Sequence, residues 1–334
     1  MMLPRDMKQS INVQLNGNTS KFVRRNYHHF NALALKNATM AYKKLLDDGG
    51  KMFVSMAGAM STGRLGISLA AMIRKGYVSG LSVTGANLEE DVMNLVGNKD
   101  YLQVPDYRDI TPDDNKEMLD KKLNRVTDVA IPATSMKEVE TIIIEKWENA
   151  VLGREQKFPH EFLTEILLDG LLKKYYQIDS DESWLLAAAE MKIPIVTPGW
   201  EDSTLGNVFA ALVREQEIDT SILKSGIDAM NYLADWYLRE KADKGFFQIG
   251  GGIAGDFAIC VVPFLKQDCH LKNTKWWAYF CQISDAVCSY GGYSGATPNE
   301  KITWDKLGPK TPKFVIESDA SIVVPLIFDS ILGL

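Results

Sequence analysis

The sequence lacks several features that would assign it to common functional classes. It has only four histidines, and its four cysteines, Cys260, Cys269, Cys281 and Cys288, form no CxxC pair or other zinc-like spacing. We therefore expect reduced, mostly buried thiols and no metal centre. The first fourteen residues have no long apolar core of the kind that a signal peptide requires. No uncharged apolar run approaches the ~18 residues that span a bilayer, so the sequence predicts a soluble, cytoplasmic protein.

Basic residues are not in excess. The chain of 334 residues has 37 Lys and Arg against 43 Asp and Glu, a net charge of -6. This balance argues against nucleic acid as the main partner, because phosphate binding needs clustered cations. It is compatible with a cationic small molecule. No internal repeat or low-complexity linker divides the chain, so we expect an arm over residues 1–25 and a single domain over 26–334.

Apolar periodicity predicts an α/β fold. Helical spacing from Phe30 ends at Gly49-Gly50, and a short apolar run at 52–54, a small-residue loop and a helix over 67–74 follow. A second apolar run at 81–83 leads into a helix from Asn87. Strand, turn, helix and strand in this order are typical of a parallel sheet. The fold prediction is a doubly wound, mostly parallel, Rossmann-like sheet with additional helices.

The C-terminal half repeats this alternation, and the middle is less regular. Strands are predicted at 193–197, 246–249, 276–283 and 314–317, and helices at 183–191, 206–214, 227–240 and 321–332. Residues 101–124 are charged and interrupted by prolines, which predicts a long excursion. Ser135 and Glu138 fit a capping box that opens a helix to about Asn149. A further helix is predicted over 160–176.

Lys306 stands out for its neighbours. It follows Trp304 and Asp305 in a short polar segment behind the glycine-rich stretch 290–296. Desolvation against an aromatic ring lowers the pKa of a lysine, and an unprotonated amine is a nucleophile. The alternative is a solvated side chain whose stem lies on apolar surface. The residues alone leave both interpretations open.

Glycines follow the predicted strand at 246–249. Gly250, Gly252 and Gly255 satisfy G-x-G-x-x-G before an apparent helix, a geometry that suits a pyrophosphate. No acidic residue stands at the next strand end, where a ribose partner is expected, so tight strand-to-helix packing is the alternative. Other loops at predicted strand ends lie where open α/β sheets bind ligands; they are Ala57–Ser61, Thr84–Ala86, Asp202, Asp285-Ala286 and Asp319-Ala320.

An ordered series of segments resembles the deoxyhypusine synthase family. The series covers the chain from about Phe30 to the C-terminus, and no single motif is decisive. Its segments are Thr84–Asp91, Asp181–Trp184, Ile193–Ile195, Glu201–Gly206, Ile249–Gly252, Tyr290–Ala296, Pro298–Glu300, Thr303–Lys306, Ser318–Ser321 and Val323–Leu326.

The resemblance implies NAD as the cofactor. It places NAD against Gly250, Gly251 and Gly252, with Asp202 and Asp319 as candidate ribose partners. The remaining implied contacts are Ala57, Gly58, Ser61, Thr84, Gly85, Ala86, Asp285, Ala286 and Ala320. The first loop departs from the family, which usually carries Ser-Asn where this chain has Ala57-Gly58. Helix capping is the alternative role for each aspartate.

The resemblance also implies a polyamine site. Glu89, Glu90 and Glu300 are candidates to hold the ammonium groups of spermidine, and Trp304 supplies an apolar wall and a cation–π face. Without the family, Glu89 and Glu90 fit an acidic first turn favoured by the helix dipole. Four positions in segments that line this pocket depart from the family: Asn207 replaces an aspartate, Asp256 a catalytic histidine, and Tyr290 and Tyr293 two further aspartates.

The reaction implied by the resemblance is NAD-dependent transfer of the 4-aminobutyl group of spermidine, through an imine on Lys306, to an acceptor amine. The acceptor is either the lysine of the hypusine-bearing translation factor or a free diamine such as putrescine, which would give homospermidine. A protein that binds polyamine or NAD without catalysis is the alternative of another class. The family further implies a homotetramer.

Overall fold

The computed structural model describes residue 13 and residues 15–288 and 291–334. Its helices and strands alternate along most of the chain. In order they are α1 Asn18–Asn26, α2 Phe30–Asp47, β1 Lys51–Met56, α3 Gly66–Arg74, β2 Gly80–Val83, α4 Gly85–Gly97, β3 Leu102–Gln103, α5 Pro112–Asp120, β4 Leu123–Val126, β5 Val129–Pro132, α6 Lys137–Gly153, α7 Pro159–Leu168, α8 Trp184–Glu190, β6 Ile195–Val196, α9 Thr204–Arg214, α10 Gly226–Arg239, β7 Lys244–Ile249, α11 Gly252–Ile259, α12 Val261–Pro263, β8 Tyr279–Ile283, α13 Glu300–Thr303, β9 Lys313–Ile316 and α14 Ala320–Leu332. Helix α1 lies inside the segment that the sequence predicts as an arm.

The chain forms two compact units. Unit 1 comprises residues 1–56, 75–82 and 233–334, and unit 2 comprises residues 57–74 and 83–232. Among the residues described, no helix is both long and apolar enough to cross a membrane.

Unit 1 is built on a sheet whose strands lie in the order β2, β1, β7, β8, β9. The pairs β1–β7, β7–β8 and β8–β9 are parallel, with Val54 opposite Phe247 and Phe247 opposite Cys281. Every residue of β7 and β8 is buried, as expected for central strands covered on both faces. The α/β prediction, with its mostly parallel Rossmann-like sheet, is confirmed.

Aromatic side chains fill the core of unit 1 around Trp277, which is fully buried. Its ring lies 4.9 Å from the Tyr237 ring and 5.0 Å from the Phe246 ring, both edge to face. Its indole N–H donates to the carbonyl of Ile259 at 3.2 Å. This packing joins α10, β7 and the end of α11, so it fixes the helix that follows the glycine segment.

Unit 2 is mostly helical and includes a small antiparallel sheet in the order β3, β5, β4. Strand β3, helix α5 and the start of β4 lie in the stretch 101–124 that the sequence predicts as an excursion, and β5 follows it. Its strands were missed because β3 is exposed and β4 is only partly buried, and they lack the apolar alternation of a half-buried strand.

Two helix boundaries in unit 2 correct the sequence prediction. Helix α6 begins at Lys137 after a 3₁₀ turn, and Ser135 does not cap it. Helix α7 ends at Leu168, well before residue 176, because Gly170 adopts a left-handed φ of 71° that ends the helix. The thiol prediction is partly wrong: all four cysteines are free, but only Cys281 is buried, and Cys269 and Cys288 are exposed.

Candidate functional site

A tight turn places Lys306 in the interior of unit 1. The turn follows α13, and Asp305 adopts a left-handed φ of 58°. Its carboxylate accepts hydrogen bonds from Lys266 Nζ at 2.7 Å and Trp276 Nε1 at 2.6 Å, which hold this strained residue. The next residue, Lys306, is therefore directed inward and is only 7% exposed. The interpretation of Lys306 as a solvated side chain is wrong.

The amine of Lys306 has one carboxylate partner among the residues described. Its Nζ lies 2.7 Å from Oδ1 of Asp256, on α11. The Asp256 side chain is half exposed, so this carboxylate connects the buried amine to solvent. Cys260, one helical turn later, has its sulfur 3.6 Å from the same oxygen. Asp256 therefore occupies a position from which it can accept a proton from Lys306.

Two rings flank the amine. The centroid of the Tyr293 ring lies 5.2 Å from Lys306 Nζ, and that of Trp304 lies 5.8 Å away. Tyr293 is fixed by a 2.6 Å hydrogen bond from its hydroxyl to Gln248. Trp304 is 62% exposed, so its indole covers the amine only in part. Glu300 lies exposed on α13, at the start of the same short segment.

A second buried lysine was missed by the sequence analysis. Lys301 is 2% exposed, its Nζ lies 4.4 Å from the Tyr293 ring centroid, and it donates to the Ala296 carbonyl at 3.3 Å. Burial first, and then the nearby Lys306 amine, lower the pKa of Lys301 to about 8. Its place in a short polar helix gave no sign of burial. The positive charges of Lys301 and Lys306 therefore repel each other, and the Asp256 carboxylate attracts both.

The glycine segment has two different roles. Gly250 and Gly252 have left-handed φ angles of 75° and 55°, and a Cβ at Gly252 would meet nothing within 4 Å. A Cβ at Gly251 would instead collide with Ser294. Gly251, which lies between two glycines of the G-x-G-x-x-G motif, therefore serves packing. Gly252 leaves an open backbone surface at the N-terminus of α11.

The residues around this open backbone surface decide whether a dinucleotide fits unit 1. It lies where β7 ends, and the ends of the neighbouring strands β8 and β9 carry Asp285-Ala286 and Asp319-Ala320. Asp285 and Ala286 are exposed, whereas Asp319 caps α14 by accepting from the Ser321 N–H and hydroxyl, both at 2.8 Å. Open backbone at the carboxyl ends of adjacent parallel strands suits a nucleotide, so these residues fit the group.

The acidic candidates of unit 2 are buried in α4, in its second turn and not in its first. Glu89 accepts from the backbone N–H groups of Thr204 at 2.9 Å and Leu205 at 2.8 Å, so it caps α9. Glu90 accepts from the Thr62 N–H at 3.2 Å. Burial raises the pKa of Glu90 to about 7. Glu89 therefore has a structural role. Of these two carboxylates, Glu90 accepts fewer backbone hydrogen bonds, so its negative charge is less stabilised.

The other candidates of unit 2 lie in two loops and a helix. Thr84 caps α4 and donates to the Gly58 carbonyl at 2.7 Å. The hydroxyl of Ser61 is buried and already bonded to Asn87 and Trp184, so it serves packing. Gly85 is buried, Ala57 and Ala86 are partly exposed, and Asp202 and Asn207 are exposed. Tyr290 lies outside the described residues.

Comparisons with known proteins identify the family of the chain. The family model for deoxyhypusine synthase matches residues 24–331. A protein of Sulfurisphaera tokodaii named "Probable deoxyhypusine synthase" is 25% identical over 313 residues, which cover 91% of this chain and 89% of the relative. A "Deoxyhypusine synthase-like protein" of a Nostoc species is 30% identical over 316 residues, covering 91% of this chain and 78% of the relative.

A solved structure shows the same fold. The crystal structure of a candidate deoxyhypusine synthase from Entamoeba histolytica has a TM-score of 0.58 at 13% identity and covers 94% of this chain and 92% of that chain. The fold and the family match define a Rossmann-like α/β transferase. The chain belongs to the deoxyhypusine synthase family, and it is a deoxyhypusine synthase-like enzyme that transfers an aminobutyl group.

The buried carboxyl of Glu90 predicts a pH-dependent stability. Its pKa is about 7 in the folded protein against an ordinary value of 4.5, so the folded state loses stability as the pH rises between these values. Glu90→Gln should therefore raise the free energy of unfolding above pH 7, by at most about 3 kcal/mol. The gain should vanish near pH 4.5, where Glu90 is also uncharged. Urea denaturation across this range checks it, and an equal effect at both ends would contradict it.

Proposed function

We propose that the enzyme uses NAD to transfer the 4-aminobutyl group of spermidine through an imine on Lys306. The observation that carries this proposal is the burial of the Lys306 amine 2.7 Å from the Asp256 carboxylate. A covalent amine catalyst must lose a proton before it attacks. A binding protein without catalysis would have no use for a buried, oriented amine beside a proton acceptor, which argues against that alternative.

Asp256 provides a route by which Lys306 can lose its proton before it attacks. Asp256 Oδ1 takes the proton from the amine, and its half-exposed side chain can pass that proton to solvent. Tyr293 separates the two amines from the glycine segment and is held by Gln248.

The transfer step then follows from ordinary amine chemistry. The neutral Lys306 amine adds to the imine carbon of oxidised spermidine and forms a new C–N bond. The bond from that carbon to the diaminopropane nitrogen breaks once that nitrogen has taken up the two protons that the attacking amine loses, which Asp256 carries across, and 1,3-diaminopropane leaves. The acceptor amine repeats the exchange and releases Lys306. Lys306 is thus the nucleophile, and Asp256 carries the protons.

NAD supplies the redox chemistry when it is bound, by accepting hydride from the carbon next to the secondary amine and returning it at the end. In unit 1 we assign its binding to Gly252, beside which there is open space, and to Asp285, Ala286 and Ala320. Gly250 is assigned on the family resemblance alone, because its N–H and carbonyl are already bonded to Ile283 and Gln248. Gly251 supports this segment by packing on Ser294. The contacts predicted in unit 2 are supported by the resemblance, with Asp202 as the exposed ribose candidate.

For spermidine, we assign Glu300 and Trp304 to the exposed approach to Lys306. Glu300 offers an exposed carboxylate for an ammonium group, and Trp304 offers a ring face that suits a methylene chain or a cation. In unit 2, Glu90 is the stronger candidate than Glu89, since a bound cation would compensate its buried charge. Asn207 is exposed and remains a candidate. The family further supports a homotetramer in the cytoplasm, with residues 26–334 as the functional domain.

The acceptor is a free diamine in our preferred interpretation, with the translation-factor lysine as the second candidate. Asp256 supports the diamine because it adds a carboxylate at the nucleophile, which suits a second ammonium group. A diamine carries such a group at a fixed distance from its reacting amine.

Lys306→Ala should retain NAD binding and lose nearly all transfer, because the nucleophile is removed while the glycine segment is intact. Lys310→Ala, at an exposed lysine four residues later, is the matched control and should keep full activity. Product formation from labelled spermidine measures transfer, and fluorescence titration measures NAD binding. Transfer by Lys306→Ala at close to the wild-type rate would show that the covalent role is wrong.

Gly252→Val should weaken NAD binding at least tenfold, because the new side chain occupies the open backbone surface. Gly76 in unit 1 has a similar φ of 71° and equally open surroundings, but it precedes β2 and so lies at the opposite end of that strand. Gly76→Val should cost the same ~1–2 kcal/mol of backbone strain and leave the Kd for NAD unchanged. Equal NAD affinity in both variants would show that the glycine segment serves only packing.

Asp256→His should shift activity from free diamine toward the protein lysine, because it removes the carboxylate that attracts a second ammonium. The assay offers labelled spermidine with putrescine and, in parallel, with the translation factor, and mass spectrometry identifies the products. Efficient labelling of the factor by the wild-type enzyme, without homospermidine, would exclude the diamine.

A further inference from the structure

Unit 2 contains a cavity of about 400 Å³ that none of the predicted site residues lines. It lies among the N-terminal end of α7, the loop after β6, and helices α9 and α10. The side chains that matter for its chemistry are Phe158, His160, Thr197, Trp200, Phe209 and Lys224. A cavity of this size matches sites for small organic molecules.

Two polar atoms of the lining are buried without a hydrogen-bond partner in the part of the chain described. They are Nδ1 of His160 and Oγ1 of Thr197, on residues that are 7% and 8% exposed. Buried polar groups nearly always have partners, because an unmet hydrogen bond costs free energy. Ten buried side-chain atoms lack a partner among the residues described, and these two belong to residues that line one cavity. A ligand of the cavity would supply the partner that both atoms lack.

The remaining lining is aromatic. The Phe158 and His160 rings are stacked with an interplanar angle of 8° and centroids 5.7 Å apart. The Trp200 and Phe209 rings meet edge to face at 5.6 Å. Rigid ring surfaces of this kind favour a flat ligand, because they bury it with little loss of side-chain entropy.

The charged side chains of the lining limit the class of ligand further. Lys224 is the cation of the lining, and its Nζ is already taken by Glu161 at 3.2 Å and by the Phe158 ring at 4.5 Å. Burial lowers the pKa of His160 to about 4, so its ring is uncharged at neutral pH. A phosphate would therefore find no free cation. Glu201 is exposed and is the lining's single carboxylate, which does not suit a polyamine with ammonium groups at both ends.

We propose that this cavity binds an uncharged, planar heteroaromatic ring of the nucleobase type, whose polar edge bonds His160 and Thr197 and whose faces lie on the aromatic lining. A neutral imidazole offers one N–H and one bare nitrogen, and a hydroxyl serves as either donor or acceptor. Their complement is a ring edge that carries both a donor and an acceptor. The proposal is independent of the transfer reaction.

The test is calorimetric titration of the full-length enzyme with adenine, cytosine and uracil, in the presence of saturating NAD so that the nucleotide site is filled. At least one base should bind wild-type protein. Thr197→Val should weaken that base about tenfold, as expected for one lost buried hydrogen bond. Its Tm should not fall, because the Thr197 hydroxyl has no partner to lose. His160→Phe, which keeps a stacked ring, should weaken the same base.

Thr62→Val is the matched control, since Thr62 is a threonine of unit 2 that is 7% exposed and lies outside the cavity. It should leave base binding unchanged. Three results would overturn the proposal: no base binds the wild-type enzyme, Thr197→Val and Thr62→Val bind the base equally, or benzene binds as tightly as the base, which would mark a purely apolar cavity.

Discussion

The pairing of a buried lysine amine with the Asp256 carboxylate underlies the chemistry that we propose for this enzyme. A lysine amine removed from water is costly unless it is paired or neutral, and Lys306 meets this constraint through Asp256. The surrounding structure maintains the pair. The left-handed Asp305 directs Lys306 inward, α11 presents Asp256 from the end of the glycine segment, and the Trp277 core fixes the far end of that helix.

Helix α11 links the glycine segment of unit 1 to Lys306. Gly252 opens α11 and leaves bare backbone at the end of β7, while Asp256 lies one turn further and reaches Lys306. Gln248 on β7 bonds both the Gly250 carbonyl and the Tyr293 hydroxyl. A shift of the glycine segment would therefore move Tyr293 and Asp256 together. A nucleotide bound at the glycine segment, as we propose, would therefore be mechanically connected to the position of Lys306.

The sequence predicted the parallel strands because they are short, apolar and bounded by glycines, as at Lys244–Ile249. It predicted the family from ordered motifs. It could not predict contacts that join distant segments. Glu89 caps α9 more than 100 residues later, Gly251 packs on Ser294, and Lys301 is buried although it stands in a polar run. Strands β3 and β4 of the antiparallel sheet in unit 2 were missed because neither has a buried residue that would leave an apolar pattern.

The most direct measurement is the site of covalent capture. The enzyme is incubated with spermidine and NAD, reduced with borohydride and digested, and the modified peptide is sequenced by mass spectrometry. We expect a 4-aminobutyl group on Lys306 and no modification of Lys301, the neighbouring buried amine 2% exposed to solvent. An adduct on Lys301, or no adduct while product still forms, would contradict the central role of Lys306.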